Sequence, residues 1–395
     1  MIATKMEPYI KGSSMIRAMF EDSIKMAEKF GADNVFDFSL GNPCFPPPPE
    51  VRESILKHID TPDQVSVHGY GNNSGHAEVR TKIAESLNRR FKANLGSDNV
   101  LMCTGAAGGI NVILKTLIDP GDEIITFAPF FGEYKNYAAA YEAELMICPP
   151  LPPDFKPNTE ALKDLITEKT KAVIINSPNN PTGVVYSEDD IRKIAETLSE
   201  RQNYFGKDIY IISDEPYRDL VYSGAEAPWI PNHYDNTVVV YSYSKALSLA
   251  GERIGYIAVS PKVSDSENIL AVAKEMTRIL GFVHAPSLFQ LVAGDCVDVP
   301  VDVSAYRKNR DRLYYELTAI GYKCVPPDGA FYLFVKTPEP DDLEFSKRAK
   351  EYQLCVVPGS VFGCGGYIRL AYCVTYDKIE RSLPKFLELY NSYRK

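Results

Sequence analysis

Tryptophan occurs once and histidine five times in 395 residues. The eight cysteines (Cys44, Cys103, Cys148, Cys296, Cys324, Cys355, Cys364 and Cys373) form no C-x-x-C pair and meet no histidine at metal-ligand spacing. A zinc or other resident metal site is therefore not expected, and the cysteines read as buried thiols of a reducing cytosol rather than a disulfide framework. Lysine and arginine never gather into a run, and the net charge is −9. That leaves no basic field for a phosphate backbone, so no nucleic-acid partner is expected. Long apolar runs are missing too: residues 279–294 are uncharged but contain His284, Pro286 and Gln290. A membrane span of about 18 apolar residues is thus unsupported. Lys5, Glu7 and Lys11 interrupt the start, which does not read as a secretory signal, and the expected location is the cytoplasm.

What is present has the composition of a folded protein: 45% hydrophobic and 24% charged residues, with 25 Gly and 28 Pro. Such a length suggests about two to three domains. The run from Pro46 to Pro49 reads as a rigid connector. It separates an N-terminal arm (1–46) from a large domain (47–300), and a smaller domain (301–395) follows. In the large domain, apolar strand-like runs at 99–103, 123–127, 171–176, 208–213, 237–241 and 254–259 alternate with helix-length segments. One of these, 190–201, is introduced by the capping-type sequence Ser187-Glu188-Asp189-Asp190. The alternation predicts an α/β fold with a mostly parallel sheet between helices. After residue 300 the pattern becomes helix (303–320), strands (330–335 and 354–357) and a terminal helix (376–393), a smaller α+β unit on which the N-terminal arm is expected to pack.

In open parallel sheets ligands bind beyond the carboxyl ends of the strands. Five segments fall there. The turn Gly105-Ala106-Ala107-Gly108 runs from strand into helix, leaving free backbone N–H groups suited to a phosphate, although it lacks the Walker lysine and G-x-G-x-x-G spacing. Ala128-Pro129-Phe130-Phe131 and Ser177-Pro178-Asn179-Asn180-Pro181-Thr182-Gly183 follow two further strands. Asp214 ends the run Ile209-Tyr210-Ile211-Ile212, a place where a carboxylate needs a cationic partner, and Tyr217 lies three residues on. Lys245, in Ser242-Tyr243-Ser244-Lys245, follows Val238-Val239-Val240 and would be a partly desolvated, nucleophilic amine of the kind a Schiff base requires. Arg253 lies eight residues further on. Each alone has a plainer reading: a close-packed helix start, a solvated turn aspartate, a surface lysine or arginine.

Together and in order, Asn180-Pro181-Thr182-Gly183, Asp214-x-x-Tyr217 and Ser242-x-Ser244-Lys245 followed by Arg253 resemble the signature of pyridoxal-phosphate-dependent aminotransferases of the aspartate aminotransferase type (fold type I, class I/II). The likeness runs from Gly41-Asn42-Pro43 to Arg369-Leu370. It implies pyridoxal 5'-phosphate as cofactor, a Schiff base on Lys245, and a ping-pong exchange between an amino acid and a 2-oxo acid. In that family the acid matching Asp214 pairs with the pyridine nitrogen, and residues matching Asn180 and Tyr217 hydrogen-bond the ring's phenolic oxygen. The phosphate is held by residues matching Ala106, Ala107, Ser242, Ser244 and Arg253, with Gly105 opening the turn. Phe131 matches the aromatic stacked on the ring, where aspartate-specific enzymes usually carry tryptophan. The likeness also suggests a cis bond at Asn180-Pro181. Arg369 matches the arginine that grips the substrate carboxylate, and Gly41 the glycine that lets backbone approach it. Tyr70 matches a tyrosine that reaches the neighbouring subunit's phosphate, implying a homodimer with shared sites. Arg278 lies near the stretch that supplies a distal-carboxylate arginine, one or two residues out of register, while Phe131, Tyr217, Tyr70 and Phe331 equally suit an apolar side-chain pocket. Two rivals remain at this level: a C–S lyase of the same fold and a non-enzymatic cofactor-binding sensor domain.

Overall fold

The computed structural model describes residues 2–4, 6–7, 15–222 and 224–394; Lys5 and Lys11 lie outside them. The strands, in chain order, are β1 (Phe36–Asp37), β2 (Val100–Cys103), β3 (Glu123–Phe127), β4 (Glu144–Cys148), β5 (Thr170–Asn176), β6 (Tyr210–Asp214), β7 (Thr237–Ser242), β8 (Gly255–Val259), β9 (Lys323–Val325), β10 (Tyr332–Lys336), β11 (Leu354–Cys355), β12 (Val357–Pro358) and β13 (Tyr367–Ala371).

A seven-stranded sheet runs β2-β8-β7-β6-β5-β3-β4. Its strands are parallel except β8, which is antiparallel to both β2 and β7. Every residue of β3, β6, β7 and β8 is buried, the signature of strands covered on both faces. β4 is absent from the sequence reading although Leu145-Met146-Ile147-Cys148 is an apolar run; it stands at one edge of the sheet, where Glu144 to Ile147 are exposed or half-exposed.

The helix Glu188–Phe205 begins two residues before its sequence-read start. Ser187 caps it: its hydroxyl accepts from the Asp190 N–H, and Asp190 Oδ2 accepts in return from the Ser187 N–H at 2.9 Å. Such a reciprocal cap is worth about 1 kcal/mol, and Glu188, Asp189 and Asp190 also face the positive end of the helix dipole.

A second, four-stranded antiparallel sheet runs β12-β13-β10-β9. The short β1 of the N-terminal arm pairs in parallel with β11 beside it, and Phe36 and Phe38 enter the same apolar core as Phe331, Leu370 and Phe386. The larger sheet packs its two faces into separate cores, one around Ile113, Ile174 and Ile257, the other around Ile125, Val173 and Ile211.

Two expectations need correction. The cis bonds are Ala128–Pro129, Pro152–Pro153 and Ser177–Pro178, and Asn180–Pro181 is trans. Asn179 Oδ1 accepts from the Thr182 N–H (3.1 Å) and Asn179 O from the Gly183 N–H (2.9 Å), closing a turn that the trans chain already fits. The cysteines are all free thiols, yet Cys44 is exposed and Cys324 only partly covered, since Cys44 sits in the loop beyond β1 rather than in a core element.

Candidate active site

The carboxyl ends of β2, β5, β6 and β7 open onto a cavity of about 280 Å3, whose opposite wall is the small sheet. Gly41, Ala106, Ala107, Phe131, Asn180, Asp214, Tyr217, Ser242, Ser244, Lys245, Arg253 and Arg369 all line it. Segments up to 328 residues apart in sequence are thereby brought to one place by the topology, as the strand-end rule requires.

At one end, β2 turns directly into the helix Gly105–Leu117. Gly105 has φ +69°, and a Cβ on it would lie 2.9 Å from Arg253 Nη2, so only glycine lets the guanidinium lie against this turn. Ser242 Oγ donates to Ser244 Oγ at 2.8 Å, and the Arg253 Nη1 approaches the same Ser244 hydroxyl at 3.5 Å. Helix N–H groups, two hydroxyls and a guanidinium converge here as a receptor for a dianion.

Asp214 closes β6 and is buried. Tyr134 donates its hydroxyl to Oδ2, and the Asn176 side chain donates to the Asp214 carbonyl at 2.8 Å, but Oδ1 has no hydrogen-bond partner. Burial pushes the carboxyl up to about 7, against the Tyr134 hydrogen bond that favours the charged form; Glu215 adds to the rise. An uncompensated acceptor at this depth wants a proton donor or a cation.

Lys245 lies in the short helix Tyr243–Ala246, capped by the Ser242 hydroxyl, which accepts from the Ser244 N–H. Its Nζ donates to Gly41 O at 2.7 Å and sits 5.4 Å from the centre of the Phe331 ring. Burial lowers its pKa to about 8; Arg253 and Arg369 push the same way and Cys373 opposes them. Such an amine is largely protonated at neutral pH but loses its proton readily, as a nucleophile and proton carrier requires.

On the far wall, Arg369 is only 2% exposed, which removes the reading as a solvated strand residue. Nη1 donates to Asn180 Oδ1 at 2.9 Å and Nη2 to Ser39 O, while Nε has no partner. Three of the five N–H groups remain for a ligand. Desolvation lowers its pKa from the usual arginine range.

The structure keeps three other residues away from the cavity. Tyr70 is 92% exposed on this chain, its ring edge-on to His284. Arg278 pairs with Glu275 at 2.8 Å on the outer face of the helix Ser266–Ile279. Phe331 is wholly buried in the small-sheet core, behind the Lys245 ammonium, and the neighbouring Tyr332 lines the cavity in its place. Tyr332 went unread because strand alternation chooses between adjacent aromatics only once register is known. Tyr134 also went unread; its position three residues after Phe131, in the loop and helix start beyond β3, is the one signal that points to it.

A cavity with a dianion receptor, a buried carboxylate, a lysine of lowered pKa and a buried arginine with free N–H groups is that of an enzyme whose chemistry centres on a lysine amine beside a phosphorylated ligand. The family pattern of aminotransferase class I and II matches residues 33–386. The chain is 30% identical to the aspartate aminotransferase of Thermotoga maritima over 364 residues, covering 91% of this chain and 92% of that one. It also superimposes on an amino transferase from Eubacterium rectale with a TM-score of 0.97 at 43% identity, covering 100% and 99% of the two chains. The aspartate aminotransferase of Thermus thermophilus with maleate gives 0.88 at 27% identity, covering 98% and 99%. The chain belongs to the class I and II aminotransferases. It is thus a pyridoxal-phosphate-dependent transaminase. Among the described residues, no helix is long and apolar enough to cross a membrane.

Proposed function

We propose that this aminotransferase moves the amino group of an L-amino acid to a 2-oxo acid in two half-reactions, with Lys245 as the proton carrier of both. The observation that carries this reading is the orphaned, buried Asp214 Oδ1 in the same cavity as a half-buried lysine amine whose pKa is lowered to about 8. The residues present fit pyridoxal phosphate: Asp214 offers the acceptor a protonated ring nitrogen needs, and the Gly105 turn with Arg253 offers the phosphate cradle. When bound, the cofactor supplies a carbonyl carbon for an amine and a ring that withdraws the electron pair left by the α-proton.

Lys245 Nζ holds that proton between substrate and cofactor carbon. Asp214 keeps the ring nitrogen protonated through a charge-assisted hydrogen bond, and Asn180 and Tyr217 hold the ring oxygen. The N–H groups of Ala106 and Ala107, the Ser242 and Ser244 hydroxyls and Arg253 hold the phosphate, with Phe131 against the ring face. Arg369 takes the substrate carboxylate in a fork, which orients the Cα–H bond. Gly41 gives the backbone room beside it. The working form is a cytoplasmic homodimer in which Tyr70 reaches the partner's phosphate; its full exposure on the single chain supports that role. The division into an arm (1–46), a large cofactor-bearing domain (47–300) and a small domain (301–395) is part of the same reading, supported by the two separate sheets, one of seven strands and one of four.

Purified holoenzyme incubated with a panel of amino acids, and 2-oxoglutarate or pyruvate as acceptor, tests the proposal. Stoichiometric new amino acid and oxo acid are expected; release of ammonia with pyruvate from a β-substituted donor, and no exchange, would favour the lyase instead.

A further inference from the structure

The hydroxyl of Tyr332 occupies the centre of the site without an assigned part in it. Register puts it there. In the small sheet β10 is antiparallel to β13, with Tyr332 opposite Ala371 and Phe334 opposite Arg369. Tyr332 and Arg369 are therefore diagonal neighbours on one face, within reach for an aromatic and a long side chain. The Arg369 guanidinium carbon lies 4.6 Å from the Tyr332 ring centre and 4.9 Å from that of Phe362. The aromatic contacts and the two hydrogen bonds to Asn180 and Ser39 restrain the fork.

The other end of the same side chain faces Lys245's side of the cavity. Tyr332 Oη is 2.8 Å from Tyr217 Oη, and both are buried. A Cβ on Gly41 would lie 2.0 Å from Tyr332 Oη, so glycine at 41 makes the room this hydroxyl occupies. Gly41 O is also the acceptor for Lys245 Nζ. One tyrosine thus touches the residue that holds the ring oxygen, the residue that holds the carboxylate, and the backbone that holds the lysine.

We propose that Tyr332 is a positioning residue whose hydroxyl donates to Tyr217, turning the Tyr217 proton toward the cofactor's ring oxygen, and whose ring seats Arg369 for the substrate carboxylate. A tyrosine hydroxyl has one proton, so if Tyr217 spent its own on Tyr332 it would have none for the ring. Donation from Tyr332 releases it. This rests on the assignment of Tyr217 to the ring oxygen, and the two are separable by experiment.

The readout is the pH titration of the bound cofactor's visible absorbance in substrate-free holoenzyme, which a merely structural role would leave unmoved. Tyr217→Phe removes the donor to the ring oxygen and is expected to raise the absorbance pKa by about half to one unit, the size of one net hydrogen bond. Tyr332→Phe, isosteric but without the hydroxyl, leaves Tyr217 its proton but removes the donor that orients and polarises it, and is expected to shift the pKa the same way by a smaller amount, the double variant going no further than Tyr217→Phe alone. Tyr332→Leu also removes the ring and is expected to weaken binding of propionate, a simple monocarboxylate, several-fold, while Tyr332→Phe leaves that affinity within twofold. A shift in Tyr217→Phe with none in Tyr332→Phe, or additive shifts in the double variant, overturns the proposal but leaves Tyr217's assignment standing. No shift in Tyr217→Phe overturns both. Unchanged propionate affinity in Tyr332→Leu overturns the seating of Arg369.

Discussion

The two walls of the cavity are built by different means. The large parallel sheet contributes residues from beyond its strand ends: Ala106 and Ala107 after β2, Asn180 after β5, Asp214 at the end of β6, and Lys245 after β7. The small antiparallel sheet contributes residues from within its strands, Tyr332 on β10 and Arg369 on β13. Loops beyond a rigid parallel sheet present backbone N–H groups and short polar side chains, which suit a bulky charged ligand. A strand face presents long side chains at fixed spacing, which suits orientation of one small group. On the function proposed above, the cofactor's charge is met on the first wall and the substrate carboxylate on the second.

If that division holds, the variants separate by what they lose. Arg369→Lys, on the strand face, keeps the charge but loses the planar fork. It is expected to lower kcat/KM for every amino acid and oxo acid together by about 2–5 kcal/mol, thirty- to several-thousand-fold, with cofactor affinity unchanged. Loss for a single substrate would assign Arg369 to side-chain recognition. Asp214→Ala, at the strand end, is expected to reduce kcat about 10²–10³-fold in cofactor-loaded protein, because the ring nitrogen loses its charged partner. Near-native turnover would break the comparison on that side.

A smaller effect follows from the Asp214 carboxyl in cofactor-free protein. Its folded pKa is raised to about 7, so between the ordinary carboxylate range and pH 7 the folded state binds more protons than the unfolded chain. Stability from this group is present in acid and lost as pH rises through about 7. Lys245 works oppositely: its folded pKa is lowered to about 8, so from there to the ordinary lysine range the unfolded chain binds more protons and stability rises with pH. Melting temperatures of cofactor-free wild type and Asp214→Asn, compared from pH 4 to 8, should lie closest at the acid end and separate as pH rises toward 7, the wild type falling more steeply and the variant being the flatter. Parallel curves would show that Asp214 keeps an ordinary pKa.

The same contrast explains how much the sequence disclosed. Strand-end residues are read from contiguous motifs, because a strand, its turn and the next helix are local; Lys245, Asp214 and the Gly105 turn all reach the cavity from such segments. Strand-face residues depend on register between strands far apart in sequence. Arg369 is legible only through likeness to a family, and of the adjacent pair Phe331 and Tyr332 the sequence points to the ring that the small-sheet core takes. The cis bond was displaced to Ser177–Pro178, since X–Pro sequences at 178 and 181 are locally alike and the turn around Asn179 decides between them. Tyr70 and Arg278 point toward a second subunit only by family likeness, and on one chain they lie outside the cavity.

The central claim is that Lys245 is the amine that carries the cofactor. Borohydride reduction of the holoenzyme, followed by proteolysis and mass mapping, is predicted to fix one pyridoxyl group on the peptide containing Lys245. Label on any other lysine, with Lys245 unmodified, would contradict it.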